Sequence, residues 1–474
     1  MFFNKRKFDF ESRHPDSEPA CACFRKKRGM NNSERFRACF SDNMNRLLSF
    51  VYLPQIHFRI DLDGRLDETR LLDALEIAVR ATPVLSCRYV EHPIRPYWER
   101  NPKADCRGGD VFCVCRVDEA RFQGVLYHFL SCPICESTGP QIRVMVLRTA
   151  STDSLILKLN HQAADAFAVK EFGYLLASLY ARLKTCPHFQ PQVDSRSRSL
   201  RLVFGPFSAG RLLRLAARHV AETLDNFHPS KNLYFPVSGS FEGAFRWVFK
   251  RFDSSRVRAL KTYCSQPRAT VNDVMTTALV RAWSELGTGP ENGFLRLVGT
   301  VDLRRHLPDS CSAGLCNLSS FYFLNLGKDP GDDFCQTLNR VKTRMDALKS
   351  KDIGLGFILG NWLLTGHLPF ALQKFWVRNV MGRLMRIRHV PPVMTNMGGI
   401  DERRLNFGNL GVAAAELIAP PCYPPFFGVG LSGFRNCLSL SAGGSAESDF
   451  VDRTQALFDR VARELLLEIP KMRW

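Results

Sequence analysis

The chain has 474 residues, and 65 Lys and Arg against 46 Asp and Glu give it a net charge of +19. At about 100–200 residues per domain this length holds two or three domains with real cores, and 45% hydrophobic with 23% charged residues excludes a disordered or fibrous body. The sixteen cysteines follow no spaced framework and no apolar leader stands before them, which points to free thiols in a reducing cytoplasm.

Residues 1–40 carry Lys5, Arg6, Lys7, Arg25, Lys26, Lys27 and Arg28 with little apolar periodicity, and are expected to form a basic mobile arm. Cys21 and Cys23 lie inside it. Neither this pair nor Cys132-Pro-Ile-Cys135 has a second pair at zinc-ribbon spacing, so no metal site is expected.

From Gln55, Ile56, Phe58, Ile60 and Leu62 alternate, which predicts a half-buried strand ending at Asp63-Gly64. Leu71, Leu75 and Val79 then recur at helical spacing behind Asp67 as N-cap, and Pro83 stops the pattern. Leu155, Leu157 and Leu159 mark a further strand. Beyond it Val169, Phe172, Leu176, Leu179 and Leu183 recur at steps of three and four, an amphipathic helix.

Pro, Ser and Arg collect over residues 187–210, and residues 226–240 are rich in turn formers. The expected organisation is the arm at 1–40, an N-terminal half at 41–205, a linker at 206–240 and a C-terminal half at 241–474. In the second half Thr270 and Asp273 have capping-box spacing ahead of Val274, Ala278, Leu279 and Ala282. A strand over 294–301 leads into Asp302-Leu303-Arg304-Arg305, and a final helix over about 450–468 stops at Pro470. Strands and helices mix without βαβ alternation, so the class is α+β.

The longest uncharged stretch, Ile353 to Gln373, contains Asn361, His367, Pro369 and four glycines, which argues against a membrane span. Lys374, Arg378, Arg383, Arg386 and Arg388 follow it with no acid between them. They read as a solvated positive face, or as one that attracts anionic lipid or an acidic ligand. The Lys/Arg clusters lack the interleaved aromatics of a single-strand groove, so no nucleic-acid partner is expected.

Among eleven histidines, His161 stands where the strand ending at Asn160 gives way to a helix, a place that projects a side chain past a sheet edge. Its neighbours Ala163, Ala164, Ala166 and Phe167 are apolar and would keep the imidazole neutral by partial desolvation. A neutral imidazole, with a reference pKa of about 6.5, is a ready general base. Asp165 follows at four residues; spacing alone leaves a structural His and an ordinary helix N-cap open.

The run Asn160-His161-Gln162-Ala163-Ala164-Asp165-Ala166 resembles the His-His-x-x-x-Asp-Gly motif of the superfamily of chloramphenicol acetyltransferase, nonribosomal peptide synthetase condensation domains, plant acyltransferases, wax ester synthases and alcohol acetyltransferases. Leu66 to Tyr89 is similar to that family's first helix and following strand. Thr270-Val271-Asn272-Asp273-Val274, Val301-Asp302-Leu303-Arg304 and Thr395-Asn396-Met397-Gly398 resemble three further stretches, in the same order. The resemblance spans roughly residues 45–465. It implies two acetyltransferase-like halves forming a V with a central tunnel, His161 as general base, and Asp165 turned away to pair with Arg304 and brace the loop.

The family's first His is here Asn160, its Gly is Ala166, and the plant members' Asp-Phe-Gly-Trp-Gly has only Asn406-Phe407-Gly408-Asn409 in its place. The implied activity is HxxxD-type acyl transfer from acyl-CoA or a phosphopantetheinyl carrier to a small-molecule alcohol or amine, with no tightly bound cofactor and Asn396 as a substrate-binding residue. An acidic acyl carrier protein suits the positive charge. The expected state is a monomer in the cytoplasm, with peripheral membrane contact open; a non-catalytic condensation-like binding module is the alternative.

Overall fold

A computed structural model of the chain describes residues 35–468 except 102–105, 108–110, 228–231, 238–243, 266–267, 290–292, 388–389 and 447–448. Residues 1–34 of the expected arm, with Cys21 and Cys23, and Arg388 lie outside the described residues. The arm does not extend to residue 40. Arg35–Arg37 form strand β1, which pairs with a later strand while Arg35 donates to the buried Glu99 at 2.6 Å, and helix α1 spans Phe40–Leu47.

In chain order there follow β2 (Gln55–Leu62), α2 (Glu68–Ala81), β3 (Cys87–Val90), β4 (Tyr97–Arg100), β5 (Phe112–Arg116), α3 (Glu119–Ser131), β6 (Ile142–Arg148), β7 (Asp153–Asn160) and α4 (Ala166–Leu183). The second half comprises α5 (Arg201–Phe204), α6 (Ala209–Phe227), β8 (Phe245–Phe252), α7 (Ser254–Ser265), α8 (Val271–Leu286), β9 (Arg296–Asp302), β10 (Ser319–Asn325), α9 (Phe334–Lys349) and α10 (Leu355–Thr365). It ends with α11 (Phe370–Phe375), α12 (Gly382–Ile387), β11 (Val393–Ile400), β12 (Val412–Ile418), β13 (Gly428–Phe434), β14 (Cys437–Ser445) and α13 (Phe450–Glu468).

Two sheets organise two lobes. The first has the order β12-β2-β7-β6-β5, and the second β10-β9-β11-β13-β14-β8. In β2 the alternation sends Phe58 and Ile60 into one core with Leu75 of α2 and Phe172 of α4, all buried. The other face of the sheet packs Met145 and Ile156 under Leu126 and Leu130 of α3. Helix α4 lies close on β2 because residue 173 is Gly: a Cβ there would stand 2.6 Å from Phe58 Cε1. The second core gathers Val274 and Ala278 of α8, Leu338 of α9, Val429 of β13 and Phe458 of α13. Thr270 and Asp273 form the capping box of α8, with reciprocal bonds of 3.2 and 2.9 Å.

Two features depart from the expected organisation. The stretch 206–240 contains the 19-residue helix α6, which packs on α10. Strand β12 leaves the second half and pairs along β2 of the first sheet, so residues 241–474 do not build the second lobe alone.

The seam between the lobes runs along the first turns of α4. Lys170 donates to Met397 and Gly399 carbonyls at 2.9 and 3.0 Å, Glu171 pairs with Arg404 at 2.6 Å, and Tyr174 Oη accepts from Asp401 N at 2.7 Å. The two carbonyls reach Lys170 because β11 bulges between Asn396 and Gly399, where Gly398 takes φ +76°.

Candidate active site

At the C-terminal end of β7 the ladder continues one residue further: His161 N donates to Pro54 O at 2.8 Å. The chain then turns tightly, with the Asn160 carbonyl accepting from Ala163 N and Ala164 N at 3.0 and 3.2 Å. Asn160 itself is buried. Its side-chain Nδ2 donates to Gln141 Oε1 at 2.7 Å and its Oδ1 accepts from Gln162 N at 2.9 Å, so it serves the base of the turn. Ala166 begins α4.

His161 Nδ1 lies 3.1 Å from Ala164 O and 3.1 Å from Asn317 Nδ2. The amide of Asn317 is oriented by Ser319, whose N–H and hydroxyl both donate to its Oδ1, at 3.2 and 2.7 Å, and its Nδ2 donates to His161 O at 3.0 Å. Ala164 O can only accept. With the proton on Nδ1 the ring donates to Ala164 O and keeps a lone pair on Nε2, while the Asn317 amide donates to His161 O and not to the ring. Burial holds His161 below the ordinary imidazole range, against the opposing pull of the Asp165 charge. The Tyr52 ring stands 5.9 Å from the imidazole, its hydroxyl donating to Asn45 Oδ1 at 2.5 Å.

Asp165 caps α4 and holds the second lobe with the same carboxylate. Oδ1 accepts from Ala168 N at 2.9 Å, while Oδ2 accepts from Leu318 N and Arg304 Nη1, each at 2.7 Å. None of these bonds goes to His161. Arg304 also donates to Asp302 Oδ1 at 3.1 Å and Cys316 O at 3.0 Å, and covers the Phe167 ring at 4.5 Å. Burial works against its charge, but Asp165 and Asp302 more than offset this and hold the guanidinium above its ordinary range.

A second arginine clamps the same two segments. Arg198 donates to Ala163 O at 3.2 Å and Leu315 O at 2.9 Å, and forks onto Asp42 at 3.0 and 3.1 Å. From sequence Arg198 is only part of a boundary segment, and Asn317, Tyr52 and Asp42 do not stand out. Nothing local in the sequence marks them.

The structure brings His161, Asp165 and Arg304 together. Asn396 is placed elsewhere: it is exposed on β11, donating to Asn272 Oδ1 at 3.0 Å and accepting from Gly398 N at 2.9 Å. A cavity of about 1120 Å³ opens between the lobes, lined by Phe167 and Arg182 from α4 and by Arg304, Pro308 and Arg403 from the second lobe. His161 is not among its lining residues. Among the described residues no group of His, Cys, Asp or Glu could hold a metal ion, and no helix is long and apolar enough to cross a membrane.

This architecture is the two-lobed fold of peptide-synthetase condensation domains and chloramphenicol-acetyltransferase-like acyltransferases. The first condensation domain of the calcium-dependent antibiotic synthetase, in complex with a substrate analogue, is similar at TM-score 0.68 and 17% identity, covering 92% of this chain and 96% of that one. The trichothecene 15-O-acetyltransferase of Fusarium sporotrichioides is similar at TM-score 0.68 and 11% identity, over 91% and 94%. An epimerization domain, from the third module of tyrocidine synthetase B, is similar at TM-score 0.63 and 15% identity, over 94% and 99%. The sequence matches no protein-family model and no curated protein. One fold thus carries several chemistries, and the reaction has to be argued from the site.

Proposed function

We propose that the chain transfers an acyl group from a thioester, acyl-CoA or a phosphopantetheinyl carrier, to an alcohol or amine, with His161 as general base. The observation that carries the reading is the contact of His161 Nδ1 with Ala164 O at 3.1 Å: an Nδ1–H donated to that carbonyl leaves Nε2 with a lone pair and with no hydrogen bond to the described residues. Nε2 takes the acceptor's proton as the acceptor oxygen or nitrogen bonds to the thioester carbonyl carbon. As the tetrahedral species collapses and the C–S bond breaks, the imidazolium returns that proton to the thiolate. No acyl-enzyme forms. Asp165 and Arg304 brace the turn that aims the ring, and holding both substrates between two lobes supplies the proximity advantage. The free thiols of the described cysteines suit a cytoplasmic enzyme, and we take the working unit as the monomer.

A condensation-like binding module without turnover is the second reading, favoured by the buried, purely structural Asn160 where the resembled motif has His. Thiol release from a series of acyl-CoAs and carrier-bound thioesters, with a panel of alcohols and amines, separates the two. His161→Ala is expected to lower turnover by about 10²–10⁴ with an unchanged melting temperature. In the wild type the acid limb of kcat/KM should bend below the ordinary imidazole pKa of about 6.5, because burial lowers it. Full turnover by a folded His161→Ala protein refutes the mechanism, and absence of turnover in the wild type favours the binding module.

A further inference from the structure

Helix α11 and the turn after it are amphipathic, and their outer face is uncovered. Phe370, Gln373 and Val377 point inward, with Phe370 and Val377 packing beside Leu47 and Phe50. The intervening positions point out. Leu363, Leu364, Leu368, Leu372, Phe375 and Trp376 are 41–69% exposed, six of the fourteen exposed large hydrophobics among the described residues. Ile94, 58% exposed, is pinned beside them, since Phe370 N donates to Ile94 O at 3.2 Å and Ala371 N to Pro93 O at 2.8 Å. Scattered apolar side chains need no explanation, but six of them exposed between residues 363 and 376 mark this segment as an interaction surface.

The unpaired charge around the stripe is positive. No Asp or Glu occurs between Asp352 and Asp401. Arg378 and Arg383 are exposed and form no ion pair among the described residues; Arg378 reaches only Ser49 Oγ, at 3.4 Å. At the edge of the stripe, a recess of about 200 Å³ is lined by Arg37, Arg95, Asn43 and His367 together with Leu368 and Pro369. Arg37 and Arg95 are likewise in no ion pair among the described residues. The nearby carboxylate, Glu91, is already engaged by Lys374 and by Arg46 at 3.0 Å.

We propose that this face docks on an anionic membrane surface, with Phe375, Trp376 and the leucines entering the headgroup–acyl boundary and the Arg37–Arg95 recess holding a lipid phosphate. The juxtaposition favours lipid over a protein partner: a basic, phosphate-sized recess opens at the rim of a stripe that offers aromatic and aliphatic side chains and cations, and the nearby carboxylate, Glu91, is already paired. The proposal stands independently of the acyl-transfer reading.

The test is flotation of the full chain with vesicles of phosphatidylcholine, with and without phosphatidylserine. The wild type should float with the anionic vesicles and release at high salt. Phe375→Ser/Trp376→Ser, Arg378→Glu/Arg383→Glu and Arg37→Gln/Arg95→Gln should each lower partitioning by about tenfold or more, with unchanged circular dichroism. Failure of the wild type to bind anionic vesicles overturns the proposal, as does unaltered binding by the first two variants; unaltered binding by the third overturns the headgroup site. A lipid-free dimer dissolved by Phe375→Ser/Trp376→Ser would give the face to a second copy, and capture of an acidic acyl carrier protein in place of vesicles would give it to that partner; either result overturns membrane docking.

Discussion

Asp165 accepts hydrogen bonds from three chain segments, at Ala168, Leu318 and Arg304, and this convergence makes it sensitive to a one-atom change. In Asp165→Asn an NH₂ replaces one acceptor and meets either an amide N–H or the guanidinium, while Arg304 keeps only Asp302 and Cys316 O. In Arg304→Met the carboxylate stays buried without its cation. Each single change strands a buried charge and should cost about 3–5 kcal/mol, with Asp165→Asn at the lower end because Asp302 remains. The double mutant should be less destabilised than the sum of the two. Urea unfolding of the two singles and the double measures this, and additive costs would remove the coupling. Both residues, with His161, stand in runs that resemble a known motif and so were legible in the sequence. Arg198 and Asn317 were not, because each meets the turn across a large sequence separation, 156 residues for Asn317 and His161, and no periodicity records such a contact.

Strand β12 is the element that crosses between the lobes. Its Glu416 is buried, accepting from Arg251 of β8 at 2.7 Å and from Ser439 of β14 at 2.6 Å, with Arg59 of β2 at 3.7 Å. Two further bonds, Leu417 N to Ser432 Oγ at 3.1 Å and Ala419 N to Ser441 Oγ at 3.3 Å, bind the same strand to the second lobe. The described residues accordingly form one compact unit. Glu416→Gln leaves Arg251 facing a neutral amide and should cost roughly 1–3 kcal/mol, read as a lower midpoint of a single unfolding transition; two resolved transitions would contradict the role given to β12. Strand β2 and helix α4 were readable because alternation and the 3.6-residue period report which face is buried. The partner of β12 was not, since pairing across more than 340 residues depends on topology. Helix α6 was hidden by the turn-forming residues on both sides of it.

At the scale of the whole molecule, the basic groups and the thiols that the fold buries both make stability depend on pH. Lys158 of β7 stands opposite His57 of β2, on the face covered by α3, and both side chains are fully buried. The Lys158 ammonium donates to Phe129 O and to Cys132 O, the latter at 2.6 Å, and lies 4.2 Å from the Phe129 ring centre. These acceptors do not replace water: burial lowers Lys158 to about 7 and holds His57 well below its ordinary range, with Lys158 pushing His57 further down. In the unfolded chain lysine titrates near 10.4 and histidine near 6.5. Between about pH 7 and 10 the unfolded state therefore binds one more proton at Lys158 than the folded state, and below about 6.5 it binds more at His57 and His161. Each of these contributions makes stability rise with pH, and the decline of the +19 charge relieves self-repulsion in the same direction; above about pH 8.5 the thiols of Cys39, Cys113, Cys264, Cys316 and Cys422, which burial holds above their ordinary range, oppose it, because there the folded state binds the more protons. Lys158→Met removes one positive contribution from the alkaline window, so the slope of unfolding free energy against pH should be lower there than in the wild type by up to about 1.4 kcal/mol per pH unit. The variant also leaves two carbonyls without a donor, which shifts its stability at every pH alike and leaves the slope as the diagnostic quantity. Urea unfolding of both proteins at a series of pH values measures it; equal slopes between pH 7.5 and 10 would mean that Lys158 keeps an ordinary proton affinity in the folded state.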